Sequence, residues 1–314
     1  MKITILGAGA IGSLWAVALQ PQHDVQVWTR SSITRYPLTF QSLNGEVGSY
    51  CFNANHADHL QQSDVLLVTV KSFQVITALQ PLVNDLSARC KIVIMHNGIG
   101  SHDTVKQLFP KHTICYATTS HAALKTAEST LRHTGLGQTF IGAISSAISD
   151  GSSTADILNQ ALSPCYWQDD IMEPLWKKLA INCAINPLTA IHQCTNGELA
   201  NEDYQDQLIQ ICNEVTLVMR AEGYSVKNGE LYQQALTVIN ATADNYSSMN
   251  RDIFYQRQTE IDYITGYLIH RAKKFDIAVP VNTQLWQTIT SMESSYHART
   301  NNDCSSRCCL PCSW

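Results

Sequence analysis

No apolar run in the 314-residue chain approaches the ~20 residues that a helix needs to span a bilayer, so membrane insertion is not expected. Positive charge is also scarce. Lys and Arg number 21 against 26 Asp and Glu, for a net charge of −5. With no basic excess, the chain lacks the electrostatic footprint of a nucleic-acid binder. No internal repeat is visible, and no export signal precedes the first strand-like residues, so a cytoplasmic protein is expected. Cysteine, by contrast, is plentiful at eleven. Cys51, Cys90, Cys115, Cys165, Cys183, Cys194 and Cys212 are scattered singly and read as reduced thiols. Cys304, Cys308, Cys309 and Cys312 crowd the C-terminal end. Four cysteines suit a zinc ion in number, but paired knuckle spacing and a surrounding fold are missing, so no metal is expected. The composition, 45% hydrophobic and 15% charged, is that of a globular chain, long enough for two domains.

The strongest signal lies at the start. Lys2–Leu6 has strand character and runs into Gly7-Ala8-Gly9-Ala10-Ile11-Gly12, followed by helix-forming residues to Leu19. This is a G-x-G-x-x-G turn between a strand and a helix, with a second strand, Val25–Trp28, at the expected distance. Gly7 would permit the tight turn, Gly9 the approach of a pyrophosphate, and Gly12 close packing of helix on strand. The anion would rest on free N–H groups at the helix N-terminus. Further apolar strands are expected over 63–70, 90–95 and 114–118, with another near the sheet edge at 138–142, and a helix over 75–86. Such alternation argues for a doubly wound parallel sheet. Residues 145–154, rich in Ser, Gly and Ala, read as a surface connection.

Past residue 170 the pattern becomes helical, over 172–185, 204–222, 228–244, 251–275 and 282–294, punctuated by Gly223 and Pro280. The expected architecture is therefore α/β: a Rossmann-type dinucleotide-binding domain over 1–169, an all-α substrate domain over 170–298, and a disordered Cys-rich tail over 299–314.

Strand two ends at Trp28-Thr29-Arg30-Ser31-Ser32. Chains that bind NAD usually carry an acid here to hold the ribose hydroxyls. Arg30 suits a 2′-phosphate instead, through charge-assisted hydrogen bonds, so NADP(H) is the expected cofactor. In the helical half, Lys178, Asn182 and Asn186 recur every fourth residue and share one helix face. Leu175, Trp176, Leu179, Ala180, Ile181, Cys183, Ala184 and Ile185 make that helix mostly apolar and hence buried. One ammonium and two amides there need polar partners. Other helices could supply them, but a substrate with hydroxyl, carbonyl and carboxylate groups accounts for the stripe better. Lys177 points about 100° away and reads as structural or solvent-facing. His96 and His121, at strand ends, are further candidates for acid–base work.

These segments, taken in order, resemble the ketopantoate reductase family. The match comprises the N-terminal fingerprint, Val70–Gln74, Met95–Gly100, Thr118–Ala123, Leu175–Ala190, Asn196–Leu199, Ala241–Met249 and Thr259–Gly266, and reaches about residue 297. The Cys-rich ending looks foreign to the family. The resemblance implies NADPH-dependent reduction of 2-dehydropantoate (ketopantoate) to (R)-pantoate, in pantothenate and coenzyme A biosynthesis. It implies Lys178 as proton donor to the C2 oxygen. Asn182, Asn186 and Asn196 would orient the substrate, and the segment Asn245, Ser247 and Ser248 would close over it. Asn97 and Ala122 would flank the nicotinamide, Lys71 would lie on the cofactor side, and Glu260 would be an acid near the ribose and the catalytic centre. A monomer or homodimer is expected. A related 2-oxo acid reductase with another substrate stays open, as does a non-catalytic NADP(H)-sensing protein, although the latter would not need Lys178 and its asparagine partners.

Overall fold

Ile3, Ile5 and Leu6, with Thr4 between them, build β1 (Lys2–Leu6), which is buried from Ile3 onward. The computed structural model describes residues 1–144 and 152–305. After β1 the chain turns at Gly7 and enters α1 (Ala10–Leu19), then β2 (Asp24–Trp28). The hairpin β3 (Arg35–Gln41) and β4 (Val47–Ala54) follows, then α2 (Ala57–Gln61) and β5 (Val65–Val68). Next come α3 (Val75–Leu79), β6 (Lys91–Met95), α4 (His102–Leu108) and β7 (Ile114–Thr119). A second hairpin, β8 (Ala122–Ala127) and β9 (Thr130–Gly135), leads to β10 (Thr139–Ala143), α5 (Ser152–Ala161) and β11 (Cys165–Trp167).

The described strands form one sheet in the order β11-β10-β7-β6-β5-β1-β2-β4-β3-β9-β8. Its centre, β7 through β2, is parallel throughout. Leu14, Trp15, Val17 and Leu19 of α1 belong to the same buried core as Ile3, Ile5 and Val27 of the sheet. From β1 the chain moves to β2 on one side and later to β5 on the other, so the strand order reverses at β1. Open α/β sheets bind ligands at such a reversal, outside the carboxyl ends of the strands.

The parallel strands and α1 match the sequence expectation. The helix expected over 75–86 is shorter: α3 ends at Leu79 and a 3₁₀ turn, Gln80–Leu82, follows. The hairpins β3–β4 and β8–β9 extend the sheet beyond what the sequence suggested. The connection expected over 145–154 falls mainly on residues outside the described ones.

Two compact units are present, Met1–Leu175 and Trp176–Trp314, so the division falls after Leu175 rather than after 169. The long helix α6 (Met172–His192) carries the chain from one to the other. The second unit contains α7 (Glu202–Ala221), α8 (Glu230–Ala241), α9 (Ser248–Phe254), α10 (Thr265–Lys274) and α11 (Pro280–Ser305). α7 packs against α8, α10 and α11. Glu214 of α7 accepts the Val281 and Asn282 N–H groups at 2.9 and 3.0 Å, capping the start of α11. That helix continues to Ser305, past the boundary expected at 298 and into the segment expected to be disordered; 306–314 lie outside the described residues.

The single helix expected over 251–275 is broken. α9 stops at Phe254, Gln256 adopts a left-handed φ of 53°, and the Glu293 carboxylate accepts the Thr259 N–H at 2.7 Å. Distant groups satisfy the backbone here, so the chain need not stay helical.

Close packing at the first turn gives a stability prediction. A Cβ at Gly12 would overlap the Gly7 carbonyl oxygen and the Thr69 hydroxyl. Gly12→Ala should therefore lower stability by about 1–3 kcal/mol, as other overpacked substitutions do. Calorimetry would register this as a lower Tm, and an unchanged Tm would mean that the turn is looser than described.

Candidate active site

The turn after β1 needs its glycines for different reasons. Gly7 has φ +105°, and a Cβ there would come within 2.7 Å of Val70 Cγ1. Gly12 has no room for a side chain. Gly9 is unlike both. Its φ of −70° suits any residue, it is exposed, and a Cβ on it would meet nothing within 4 Å. Nothing in the protein requires glycine at this position, whereas a ligand laid against the backbone would. The first amide inside α1 to find a helical partner is Ser13 N, which donates to Gly9 O at 2.9 Å. No acidic residue occupies the first turn of α1. The helix therefore presents open N–H groups and the positive end of its dipole to an anion. Gly7, Ala8, Gly9, Ala10, Ile11 and Gly12 fit the pyrophosphate of a dinucleotide.

A brace under this turn was invisible in the sequence. Lys125 Nζ donates to the Ala8 carbonyl at 3.0 Å and to the Tyr36 hydroxyl at 2.9 Å, and Tyr36 Oη lies 3.1 Å from Ser13 Oγ. Lys125 and Ala8 are 117 residues apart, so no local pattern could have joined them.

The other first-unit residues singled out by sequence share the carboxyl edge of the sheet. Arg30 follows β2, Lys71 follows β5, Asn97 follows β6, and Ala122 lies just beyond β7. Arg30 is exposed, and among the described residues no hydrogen bond or ion pair engages its guanidinium. Lys71, Asn97 and Ala122 are half-buried. His121 is nearly enclosed, and its Nδ1 accepts the Gly137 N–H at 3.1 Å. Burial, with His133 nearby, lowers its pKa and leaves it neutral, a poor acid at neutral pH. His96 is tied to the Asn97 carbonyl at 2.8 Å and the Ser101 hydroxyl at 3.0 Å.

In the second unit, α6 is as buried as its apolar residues require. Trp176, Leu179, Cys183, Ala184 and Leu188 have 1% exposure or less. Pro187 sits inside the helix without ending it. The Thr189 hydroxyl, 2.9 Å from the Ile185 carbonyl and 2.8 Å from the Ser247 hydroxyl, helps tie the last turns. Lys178, Asn182 and Asn186 form the polar stripe. Asn186 is buried and Asn182 half-buried, yet neither side-chain amide makes a hydrogen bond among the described residues. The described residues thus offer no helix-to-helix partners for them. A buried amide left so is costly unless a ligand or water completes it.

Lys178 is half-buried as a whole, but the surroundings of its ammonium strip away water. Desolvation lowers its pKa from the ordinary 10.5 to about 8, and the charge of Glu260 opposes the shift. Glu260 has 4% exposure and precedes a 3₁₀ turn, Ile261–Tyr263. It is not the helix-surface acid that a continuous 251–275 helix would have carried. Lys177 is exposed, as its helical phase predicts.

Asn196 and the 245–250 segment gather at the C-terminal end of α6. Asn196 N donates to the Asn245 carbonyl at 2.8 Å, and Asn250 Nδ2 donates to the Thr189 carbonyl at 2.7 Å. The Asn196 amide donates to Thr242 Oγ1 at 2.9 Å, while its enclosed Oδ1 has no partner among the described residues. Ser247 caps α9, accepting the Asn250 N–H at 3.0 Å. Asn245 and Ser248 are exposed. Cys183, beside the stripe, is no nucleophile, because burial pushes its thiol up to about 12. The second unit therefore combines an ammonium near its neutral point, a buried carboxylate and several amides with unmet hydrogen-bonding capacity. That set can bind oxygens and move a proton.

Comparison with known proteins agrees in both halves. Residues 3–146 match the family model described as ketopantoate reductase PanE/ApbA, and residues 170–293 match the model of its C-terminal part. A 2-dehydropantoate 2-reductase of Vibrio cholerae is 41% identical over 297 residues, covering 94% of this chain and 99% of that one. The crystal structure of a PanE/ApbA family ketopantoate reductase from Ralstonia eutropha superposes with a TM-score of 0.85 at 25% identity, covering 95% of this chain and all of that one. D-mandelate dehydrogenase, solved with NADH and anilino(oxo)acetate, has a TM-score of 0.87 at 22% identity, over 95% of this chain and all of that one, a likeness of fold alone. With its two halves matched in order by the family's own models and nearly its whole length shared with such relatives, the chain belongs to the ketopantoate reductase family.

Proposed function

We propose that the protein reduces 2-dehydropantoate to pantoate at the expense of NADPH. The observation that carries this reading is the stripe on α6: Lys178, with Asn182 and Asn186 one and two turns further on, both amides without a hydrogen bond among the described residues. The relatives named 2-dehydropantoate 2-reductase support the substrate. The open backbone at Gly9 supports a dinucleotide, and the unengaged Arg30 supports one with a 2′-phosphate.

A bound reduced nicotinamide would supply the hydride that adds to the C2 carbon. As the carbonyl bond opens, negative charge gathers on its oxygen. The Lys178 ammonium stabilises that charge and passes its proton to the oxygen, completing the hydroxyl. Asn182, Asn186 and Asn196 hold the remaining oxygens, and Asn245, Ser247 and Ser248 close off the substrate's carboxylate end. Glu260 keeps Lys178 charged despite burial. In the first unit, the 7–12 turn, Arg30, Lys71, Asn97 and Ala122 would hold the cofactor.

Lys178→Ala is expected to lower kcat for ketopantoate by about 10²–10⁴, the usual contribution of a general acid. A melting curve would check that the variant folds, and near-normal turnover in the folded variant would remove Lys178 from this role. In the native protein, reduction should slow as pH rises through about 8, where the proton is lost. Stability should move the other way. Between about 8 and 10.5 the unfolded chain holds the proton that the folded chain has released, so stability rises with pH. A rate that holds constant to pH 10 would contradict the assignment.

For the coenzyme, Arg30→Ala should weaken NADPH binding about ten- to a hundredfold, the value of charged hydrogen bonds, and change NADH binding little. Equal losses for both coenzymes, read by titration calorimetry, would count against NADPH selection by Arg30.

A further inference from the structure

We infer that Asn55 is a positioning residue for coenzyme selection, fixing the loop that presents Arg30. The inference rests on the reading of Arg30 as the contact for a 2′-phosphate.

The loop in question leaves β2 at Trp28 and reaches β3 at Arg35. Surface loops of this kind are ordinarily mobile. Here one side chain ties most of it down. Asn55, the first residue past β4, has a left-handed φ of 57°, and its own N–H donates to the Val27 carbonyl at 3.1 Å. Its Oδ1 accepts the Thr29 N–H at 2.8 Å. Its Nδ2 donates to the Ser31 carbonyl at 2.7 Å and the Ile33 carbonyl at 3.0 Å, with the Thr29 hydroxyl at 3.3 Å. The loop adds a bond of its own, Ile33 N to Ser31 O at 2.8 Å.

These partners fix the orientation of the amide, because the oxygen faces an N–H and the nitrogen faces carbonyls. They also explain the residue type. Asparagine tolerates the left-handed region better than most residues with a side chain, and only an amide offers an acceptor and two donors at once. The contacted residues, Thr29 and Ser31, flank Arg30 on both sides. Arg30 itself is exposed and has no described partner, so its direction is set by the backbone that Asn55 holds. Two-pronged recognition of a phosphate by a guanidinium depends on that direction. Asn55 therefore acts on the coenzyme through Arg30.

The test measures direct binding of NADPH and NADH by titration calorimetry to four proteins: native, Asn55→Gly, Arg30→Ala and the double variant. Glycine removes the amide while permitting the left-handed backbone. Asn55→Gly should raise the Kd for NADPH about tenfold and that for NADH by less than about twofold, the scale of one misaligned charged hydrogen bond. In the Arg30→Ala background the same change should add less than about twofold to either Kd, because the coupled residue is gone. Equal weakening of both coenzymes by Asn55→Gly, no weakening, or the same tenfold loss without Arg30 would overturn the inference. If Arg30→Ala alone leaves the NADPH-to-NADH ratio unchanged, the reading of Arg30 fails first, and the inference fails with it. Should Asn55→Gly not fold, Asn55→Asp serves in its place. It keeps an acceptor for Thr29 but turns a carboxylate toward two carbonyls, and the same loss of selectivity is expected.

Discussion

A charged amine held among apolar side chains is the constraint around which the second unit is built. The turns of α6 around Lys178 carry Trp176, Leu179 and Ala180, all buried. An ammonium in such a place is under pressure to give up its proton, and the fall of its pKa to about 8 is the measure of that pressure. Glu260 limits it. To bring a carboxylate there the chain abandons helix after Phe254, passes through the left-handed Gln256, and hands the Thr259 amide to Glu293. The result is an amine that is mostly protonated at neutral pH yet close enough to its neutral point to give the proton up, as a catalytic acid should be.

The amides of this unit divide into two groups. Asn250 donates to the Thr189 and Cys194 carbonyls and builds the fold; Asn282 donates to Glu214 at 2.7 Å and ties α11 to α7, although its enclosed Oδ1 has no partner among the described residues. Asn182 and Asn186 engage nothing described, and Asn196 uses its nitrogen but not its enclosed oxygen. Residue type alone does not separate Asn182 and Asn186 from Asn250 and Asn282; the presence of any side-chain hydrogen bond among the described residues does. Buried amides of the second kind are unstable by themselves and become favourable only when something polar is brought to them.

How much of this could be read from the sequence depended on whether the cause was local. The glycine turn, the apolar strands β5, β6 and β7 and the spacing on α6 all announce themselves within a dozen residues. Gly7 and Gly12 do what the pattern predicts, one through its backbone angle and the other through lack of space. The hairpins β3–β4 and β8–β9 escaped because Pro37 interrupts β3, because β8 buries no residue fully, and because β3 finds β9 from far along the chain. The break near Gln256 escaped for a similar reason, since its stabilising partner, Glu293, lies 34 residues away from Thr259. The helix expected over 172–185 runs on through Pro187 to His192, with one tertiary bond, Thr189 to the Ser247 hydroxyl, in its last turns. Lys125 and Asn55, which brace the two loops suited to a coenzyme, are ordinary residues in sequence and acquire meaning only from the sheet order.

Burial depresses the Lys178 amine while Glu260 holds it up, and a titration of that single group checks both effects at once. With lysine amines labelled by ¹³C reductive methylation, and Lys178→Arg used to assign the signal, NMR should show one amine titrating near 8 in the native protein. In Glu260→Gln the same signal should move to lower pH, because the opposing charge is gone. A midpoint at or above the ordinary 10.5, or one that ignores the loss of Glu260, would contradict the account.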